Sequence, residues 1–322
     1  LSKGVDGFRL DVINYISKRE GLPQGNKTVG ELMGYYGIEN YYYGPKLHKY
    51  LHEIRTESFE PFQAFSVGET PGAGMEMSKL LTADYRQELD MVFSFDHLET
   101  PGHVRFDDYD YDLNYLKEYF INWMEHYGDA CWMSLFYENH DNPRMISKVN
   151  KNPVFRRPLA KLLALIQLTL KGTPFVFQGQ EIGAVNKNFQ SISDIRDVES
   201  INLYNELIEK LSPNDAFHEV LSGSRDHART PMQWSHRKNA GFTVGTPWIL
   251  TDEDFKECNV EKQLKEEHSV LNFYKALIRI RKEHKALIYG DFEVINKKKK
   301  DRFNYFRKLE DEWFYVECNL CS

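Results

Sequence analysis

Short apolar runs alternate with amphipathic stretches along the first 180 residues. Residues 7–12, 63–67, 91–95, 133–137 and 174–178 are brief, rich in β-branched or aromatic residues and end in polar ones, which predicts strands. Between them, 45–57, 113–127 and 157–170 carry helical periodicity. In the last, Leu159, Leu162, Leu163, Ile166 and Leu170 recur at steps of three and four, placing them on one helix face. Gly172 then stops that helix and Pro174 opens the next strand. Regular strand–helix alternation predicts a parallel sheet with right-handed crossovers. After residue 178 the rhythm changes. Residues 179–265 are rich in Asp, Asn, Gly and Ser and read as a long elaborated loop with one helix near 202–211. A helix over 269–284 follows, then alternating strands at 291–295, 302–307 and 313–316. The four lysines Lys297–Lys300 read as a solvated hairpin turn.

Composition narrows the class. Forty-one basic and 48 acidic residues give a net charge of −7, which argues against a nucleic-acid partner and offers nothing to an anionic membrane. The longest apolar stretch, residues 162–170, is interrupted by Gln167 and Thr169 and is far short of a bilayer span. Four cysteines are too few for a disulfide framework, and Cys318 and Cys321 lack the second ligand pair of a zinc site, so they read as residues in or beside a C-terminal strand. The chain begins at Leu1 without a charged-then-apolar leader and reads as a piece of a longer protein.

The acids carry the chemistry. In a strand, Arg9 and Asp11 share one face while Phe8 and Leu10 share the other. The second strand runs into Gly68-Glu69-Thr70, and the fourth into Glu138-Asn139-His140-Asp141. Each therefore places a carboxylate at a strand's C-terminal end, where active sites of parallel α/β barrels lie. Hydrolysis of a glycosidic bond needs two carboxyl groups with opposite tasks, one nucleophilic and one initially protonated. Arg9 beside Asp11 suits the first; Glu69, with no cation adjacent in sequence, suits the second. His140 and Asp141 also read as a metal pair, and a metal-dependent hydrolase is the outside alternative. On a strand, though, neighbours face opposite ways and no third ligand stands out.

Three stretches then form a recognisable set. Gly4-Val5-Asp6-Gly7-Phe8-Arg9-Leu10-Asp11-Val12-Ile13 resembles the nucleophile-strand motif of the alpha-amylase superfamily of glycoside hydrolases. Val67-Gly68-Glu69 resembles its general-acid motif, and Glu138-Asn139-His140-Asp141-Asn142-Pro143-Arg144 its third-acid motif. The likeness continues through Lys171–Pro174, Gln180–Gly183 and Ser224–Trp234 and is similar to the oligo-1,6-glucosidase and alpha-glucosidase branch. The resemblance implies a (β/α)8 TIM barrel, of which only the later five strand units are present (residues 1–287), followed by a truncated all-β domain (288–322). It implies Asp11 as nucleophile, Glu69 as general acid/base and Asp141 as the group holding the sugar hydroxyls. Arg9 would orient Asp11, His140 and Arg229 would contact the terminal glucose, and Arg225 is a weaker candidate for that contact. It implies a retaining exo-acting hydrolase of short oligosaccharides, in the cytoplasm, with no cofactor and no metal.

Val12, directly after the nucleophile, is similar to the residue of enzymes preferring alpha-1,6 bonds. Alpha-1,4 cleavage and trehalose-6-phosphate hydrolysis are the alternatives, and a non-catalytic sugar-binding relative is the reading from a different class. Of the tyrosines at 35, 36, 41, 42 and 43, most are expected to pack or lie on the surface, with some lining outer sugar subsites. A part-barrel exposes strand edges and one wall of its core. Residues 1–322 expressed alone are therefore expected to be poorly stable and inactive; soluble expression with clear turnover would refute this.

Overall fold

A computed structural model describes residues 1–21 and 23–321. They form two units, Leu1–Leu98 with Tyr119–Ser134, and Glu99–Glu118 with the chain from Leu135 onward.

In the first unit, β1 (Gly7–Leu10) is followed by α1 (Lys27–Met33), α2 (Leu47–Ile54), β2 (Phe65–Glu69), α3 (Met75–Thr82) and β3 (Met91–Phe93). The three strands pair in parallel in the order β1-β2-β3. Leu10 lies opposite Gly68 and Glu69 opposite Phe93. Ile13, Leu47, Leu51, Leu81, Leu89 and Val92 form the core beneath them. Gly68 is required at that point: a Cβ there would come within 2.7 Å of Leu89 Cδ1 and 2.9 Å of Ile13 Cγ2. The strand expected over 63–67 starts two residues later, because Gln63 sits in the left-handed region at φ 52° and ends a 3-10 turn. Helices α1 and α3 were not expected from periodicity. Asn26 caps α1 by accepting from the Val29 amide, a local signal in an otherwise polar stretch.

Helix α4 (Leu113–His126) runs from the second unit's residues into the first's. Next come β4 (Ser134–Leu135), α5 (Met145–Val149), α6 (Arg156–Thr169) and β5 (Thr173–Pro174). Both strands are shorter than expected; the Leu135 carbonyl accepts from the Phe175 amide at 2.8 Å. Gln167, buried on α6, donates to the carbonyls of Leu135 (2.8 Å) and Phe175 (2.9 Å), so a side chain takes over part of the ladder. The segment read as one long loop is more ordered than expected. It holds α7 (Val198–Leu207), shifted four residues from its expected place, α8 (Pro213–Gly223) and α9 (Val260–Lys265). Helix α8 carries a legible start: Ser212 caps it, Pro213 opens it, and Ala216 and Val220 are buried four residues apart.

α10 (Val270–Glu283), capped by Ser269, and α11 (Lys285–Tyr289) lead to an antiparallel sheet of β6 (Asp291–Ile295), β7 (Arg302–Leu309) and β8 (Glu312–Asn319). Lys297–Lys300 lie exposed in the β6–β7 connection, and Cys318 is buried in β8.

Two buried arginines tie this sheet to the helices of its unit. Arg281 donates to the carbonyls of Leu168, Leu170, Gly172 and Leu287 at 2.5–3.0 Å. Arg307 donates to those of Thr169, Leu287 and Gly290. Burial pushes both guanidinium groups down to about 10, yet their forks satisfy the carbonyls that close α6 and α11. Arg307→Met should strand those carbonyls and lower stability by about 2–4 kcal/mol, with Arg307→Lys intermediate. A denaturant midpoint for Arg307→Met at or above that of the parent would show that the nest does not stabilise.

Candidate active site

The candidate residues fall on both units. On the first, β1 ends at Leu10 and the chain turns at Asp11 and Val12. Arg9 and Asp11 do project together, and the Arg9 Nη1 donates to Asp11 Oδ1. The second arm of the same guanidinium, Nη2, meets Glu69 Oε2 at 2.5 Å. No cation adjoins Glu69 in sequence, but parallel pairing brings Arg9, 60 positions away, to its carboxylate. Glu69 Oε2 also accepts from the Val12 amide at 3.3 Å.

The two acids are in unlike surroundings. The Asp11 side chain is 74% exposed and that of Glu69 is 9% exposed. Burial is the largest influence on Glu69 and pushes its carboxyl above the usual range. Arg9 opposes this, while Asp11 reinforces it. The net result is an acid inclined to hold its proton beside an exposed partner. Val12 is not a strand residue. It adopts φ 41°, ψ 44°, a left-handed conformation that a β-branched residue rarely takes. Asp96, just past β3, was not anticipated from the sequence. Although exposed by area, it is crowded by protein atoms that push its carboxyl up.

On the second unit, the chain after β4 is not extended, so adjacent side chains need not face apart. His140 Nε2 lies 3.2 Å from Asp141 Oδ2, which corrects the ground on which that pair was set aside. Among the described residues, no group of three His, Cys, Asp or Glu is arranged to hold a metal. The turn is built by Asn139, whose Oδ1 accepts from the Asp141 amide (2.9 Å) and from Asn142 Nδ2 (2.8 Å). Beneath it, Glu138 and Arg144 form a buried ion pair at 2.9 Å.

Arg229 Nη2 donates to Asp141 Oδ1 at 2.9 Å and its Nε to the His140 carbonyl at 2.8 Å. Arg225 reaches the same Oδ1 at 3.3 Å, so the weaker candidate also touches the acid. Two residues absent from the sequence-based set complete this network. Glu199 Oε2 takes Arg225 (2.6 Å) and Arg105 (2.5 Å), and Arg105 donates to the Asp141 carbonyl at 3.0 Å. Asp226 and His227, buried between the two arginines in sequence, anchor the segment. Asp226 accepts from the Arg196 and Asp197 amides, and His227 Nε2 bonds the Leu221 carbonyl at 2.8 Å. Burial pushes His227 down to about 4, so it is neutral at pH 7.

The family profile "Alpha amylase, catalytic domain" matches residues 1–290. The chain belongs to the alpha-amylase family. Among curated relatives of this alpha-amylase family chain, it is 39% identical over 328 residues to an oligo-1,6-glucosidase of Halalkalibacterium halodurans, covering 99% of this chain and 57% of the relative. It is 37% identical over 323 residues to a trehalose-6-phosphate hydrolase of Bacillus subtilis, covering 99% and 56%. Among solved structures, it aligns with isomaltulose synthase from Erwinia rhapontici at a TM-score of 0.90 and 33% identity, covering 99% of this chain and 57% of that one. The chain thus spans a little over half the length of the relatives it matches. Its parallel α/β part and small antiparallel sheet are those of the alpha-amylase fold, as the resemblance implied.

The geometry around Arg9 has a measurable consequence. Arg9 holds Glu69 lower than burial alone would place it. In the protein at its natural length, Arg9→Gln should therefore let Glu69 rise further. The alkaline limb of the kcat/KM profile should move to higher pH as overall activity falls. A limb that stays put or moves to lower pH would remove Glu69 as the titrating group.

Proposed function

We propose that this chain is the part of a retaining, exo-acting alpha-glucosidase that carries its nucleophile and its acid, with Asp11 and Glu69 in those roles. The observation that carries the reading is the Arg9-bridged pair, one carboxyl exposed and the other buried with its proton held more tightly. Both carboxyls are held on one guanidinium, which supports the closer spacing of a retaining enzyme, ~5–5.5 Å, over the ~6.5–9.5 Å that leaves an inverting enzyme room for its water. In the first step the Asp11 carboxylate attacks the anomeric carbon as Glu69 passes its proton to the departing oxygen. Water then attacks the glucosyl–Asp11 ester, and Glu69 takes the water's proton. Asp141, with two arginines and His140 on its carboxylate, would hold the sugar hydroxyls.

The substrate is read as a short alpha-1,6-linked oligosaccharide. Support comes from relatives named oligo-1,6-glucosidase in Halalkalibacterium halodurans and Bacillus cereus, and from Val12 beside Asp11. One methyl-scale difference biases linkage by only ~1–3 kcal/mol. Trehalose-6-phosphate hydrolysis is the second reading, favoured by relatives of that name at 37% identity. Residues 288–322 are taken as the start of a separate β domain. No described helix is long and apolar enough to cross a membrane, and a cytoplasmic setting accords with four free cysteines.

Turnover of isomaltose, maltose and trehalose-6-phosphate by the protein at its natural length tests the reading. Isomaltose should be preferred, and Asp11→Asn should lower kcat at least about 10³-fold, on the scale of losing an essential catalytic group. Undiminished activity in Asp11→Asn would end the mechanism, whereas a preference for another substrate would overturn only the linkage.

A further inference from the structure

Asn14 lies in the 3-10 turn Ile13–Tyr15, just past Asp11 and the left-handed Val12, and the mechanism above does not use it. It is completely buried. The Tyr15 amide donates to the Val12 carbonyl at 3.0 Å and the Tyr43 amide to the Asn14 carbonyl at 3.0 Å, so the turn is fixed from within and from the connection that follows it. From this mount Asn14 Nδ2 donates to the Pro71 carbonyl at 3.0 Å. Pro71 stands in the turn that follows Glu69.

Three anchors hold the backbone of that second turn. Thr70 is tied to β3, its amide and its hydroxyl donating to the Phe93 carbonyl at 3.3 and 3.2 Å. Gly72 is held through its carbonyl, which accepts from the Tyr42 hydroxyl at 2.5 Å. Asn14 supplies the third, and of the three it alone comes from the turn that follows Asp11. Arg9 and the Val12 amide reach the Glu69 carboxylate itself. Asn14 instead fixes the backbone just beyond it, and so sets the direction in which that side chain leaves the strand.

The other end of the Asn14 amide gains nothing from burial. Its Oδ1 is buried and accepts no hydrogen bond from the described residues, which is a cost to folding. Pro71 is partly exposed, so its carbonyl can turn to water if Nδ2 is removed. The Asn14 side chain therefore adds little to stability; what its single bond adds is direction. We infer that Asn14 is a positioning residue for the acid: its bond to Pro71 sets the Glu69 turn against the Asp11 turn, and proton transfer to the departing oxygen depends on it. The inference rests on Asp11 and Glu69 acting as nucleophile and acid.

A departing sugar needs a proton from Glu69, whereas dinitrophenolate is stable enough to leave without one. kcat/KM reports events only as far as the glucosyl–Asp11 ester. Comparing isomaltose with dinitrophenyl alpha-glucoside, in the protein at its natural length, therefore isolates the acid's share. Asn14→Leu, close in shape and unable to donate, should lower the isomaltose-to-dinitrophenyl ratio of kcat/KM about 10–100-fold, with a denaturant midpoint no lower than the parent's. Asn14→Ala should lower the ratio similarly. A ratio is insensitive to the fraction of folded enzyme. An unchanged ratio, with both substrates still turned over or both losing rate equally, overturns the inference and leaves the glucosidase reading standing. A midpoint far below the parent's in both variants, or failure of both to fold, makes Asn14 a structural residue and overturns it likewise. No turnover of either glucoside by the parent overturns the glucosidase reading, and the positioning role with it.

Discussion

One guanidinium holds two carboxyl groups at the ends of neighbouring parallel strands. Arg9 reaches Asp11 with one arm and Glu69 with the other, and everything proposed for the first unit depends on that fork. Its geometry follows from the sheet. β1 and β2 pair in parallel with Leu10 opposite Gly68, so the residues just past them emerge side by side. A lysine could neutralise one carboxylate but could not span both with fixed directions, because its charge is a point on a flexible stem. The fork keeps two like charges close while leaving their surroundings unequal, and unequal surroundings separate the tasks of attack and proton donation.

The second unit uses the same logic with more cations. Asp141 has Arg225, Arg229 and His140 on its carboxylate, and Arg105 on its backbone carbonyl. These arginines are positioned by residues that never reach Asp141. Buried Asp226 ties its segment to the Arg196 and Asp197 amides, and buried neutral His227 ties it to Leu221. Glu199 braces Arg225 and Arg105 together. A short polar segment read from sequence as loop is thus a rigid mount, which is why its arginines act as directed groups and not as solvated charge.

What the sequence disclosed, and what it withheld, follow from the range of the interactions. The amphipathic helix over Arg156–Thr169 and the Ser269-capped helix over Val270–Glu283 rest on local periodicity and local caps, and both were legible to within a residue or two. The strands that lead to Asp11 and Glu69 were legible from their local pattern, although β1 stops at Leu10 and β2 begins two residues later than expected. Helix Pro213–Gly223 was missed although its Ser212-Pro213 start is local; the polar composition around it masked two buried residues four apart. The Arg9–Glu69 contact could not be read, because it joins residues 60 apart through strand pairing. The left-handed Val12 was equally hidden, since side-chain type there argues for a strand and the turn is imposed by what lies beyond it.

Val12 and Glu69 show where the first unit concentrates its costs. A β-branched residue in the left-handed region carries strain of order 1–3 kcal/mol, and a largely buried carboxyl resists ionisation. They are joined by one hydrogen bond, from the Val12 amide to Glu69 Oε2. Turning the chain at Val12 is what aims that amide at the acid; an extended backbone would carry the strand on past it. Beneath the pair, Ile13, Leu89 and Val92 are buried, and Ile13 and Leu89 close on Gly68 so tightly that no side chain fits. The core therefore resists relaxation of the turn, and the acid keeps its low-polarity surroundings. The amide and Arg9 both favour the charged form of Glu69, yet burial prevails, so its proton is held more firmly but can still be released. An acid that must give up its proton and later take one back needs that intermediate setting.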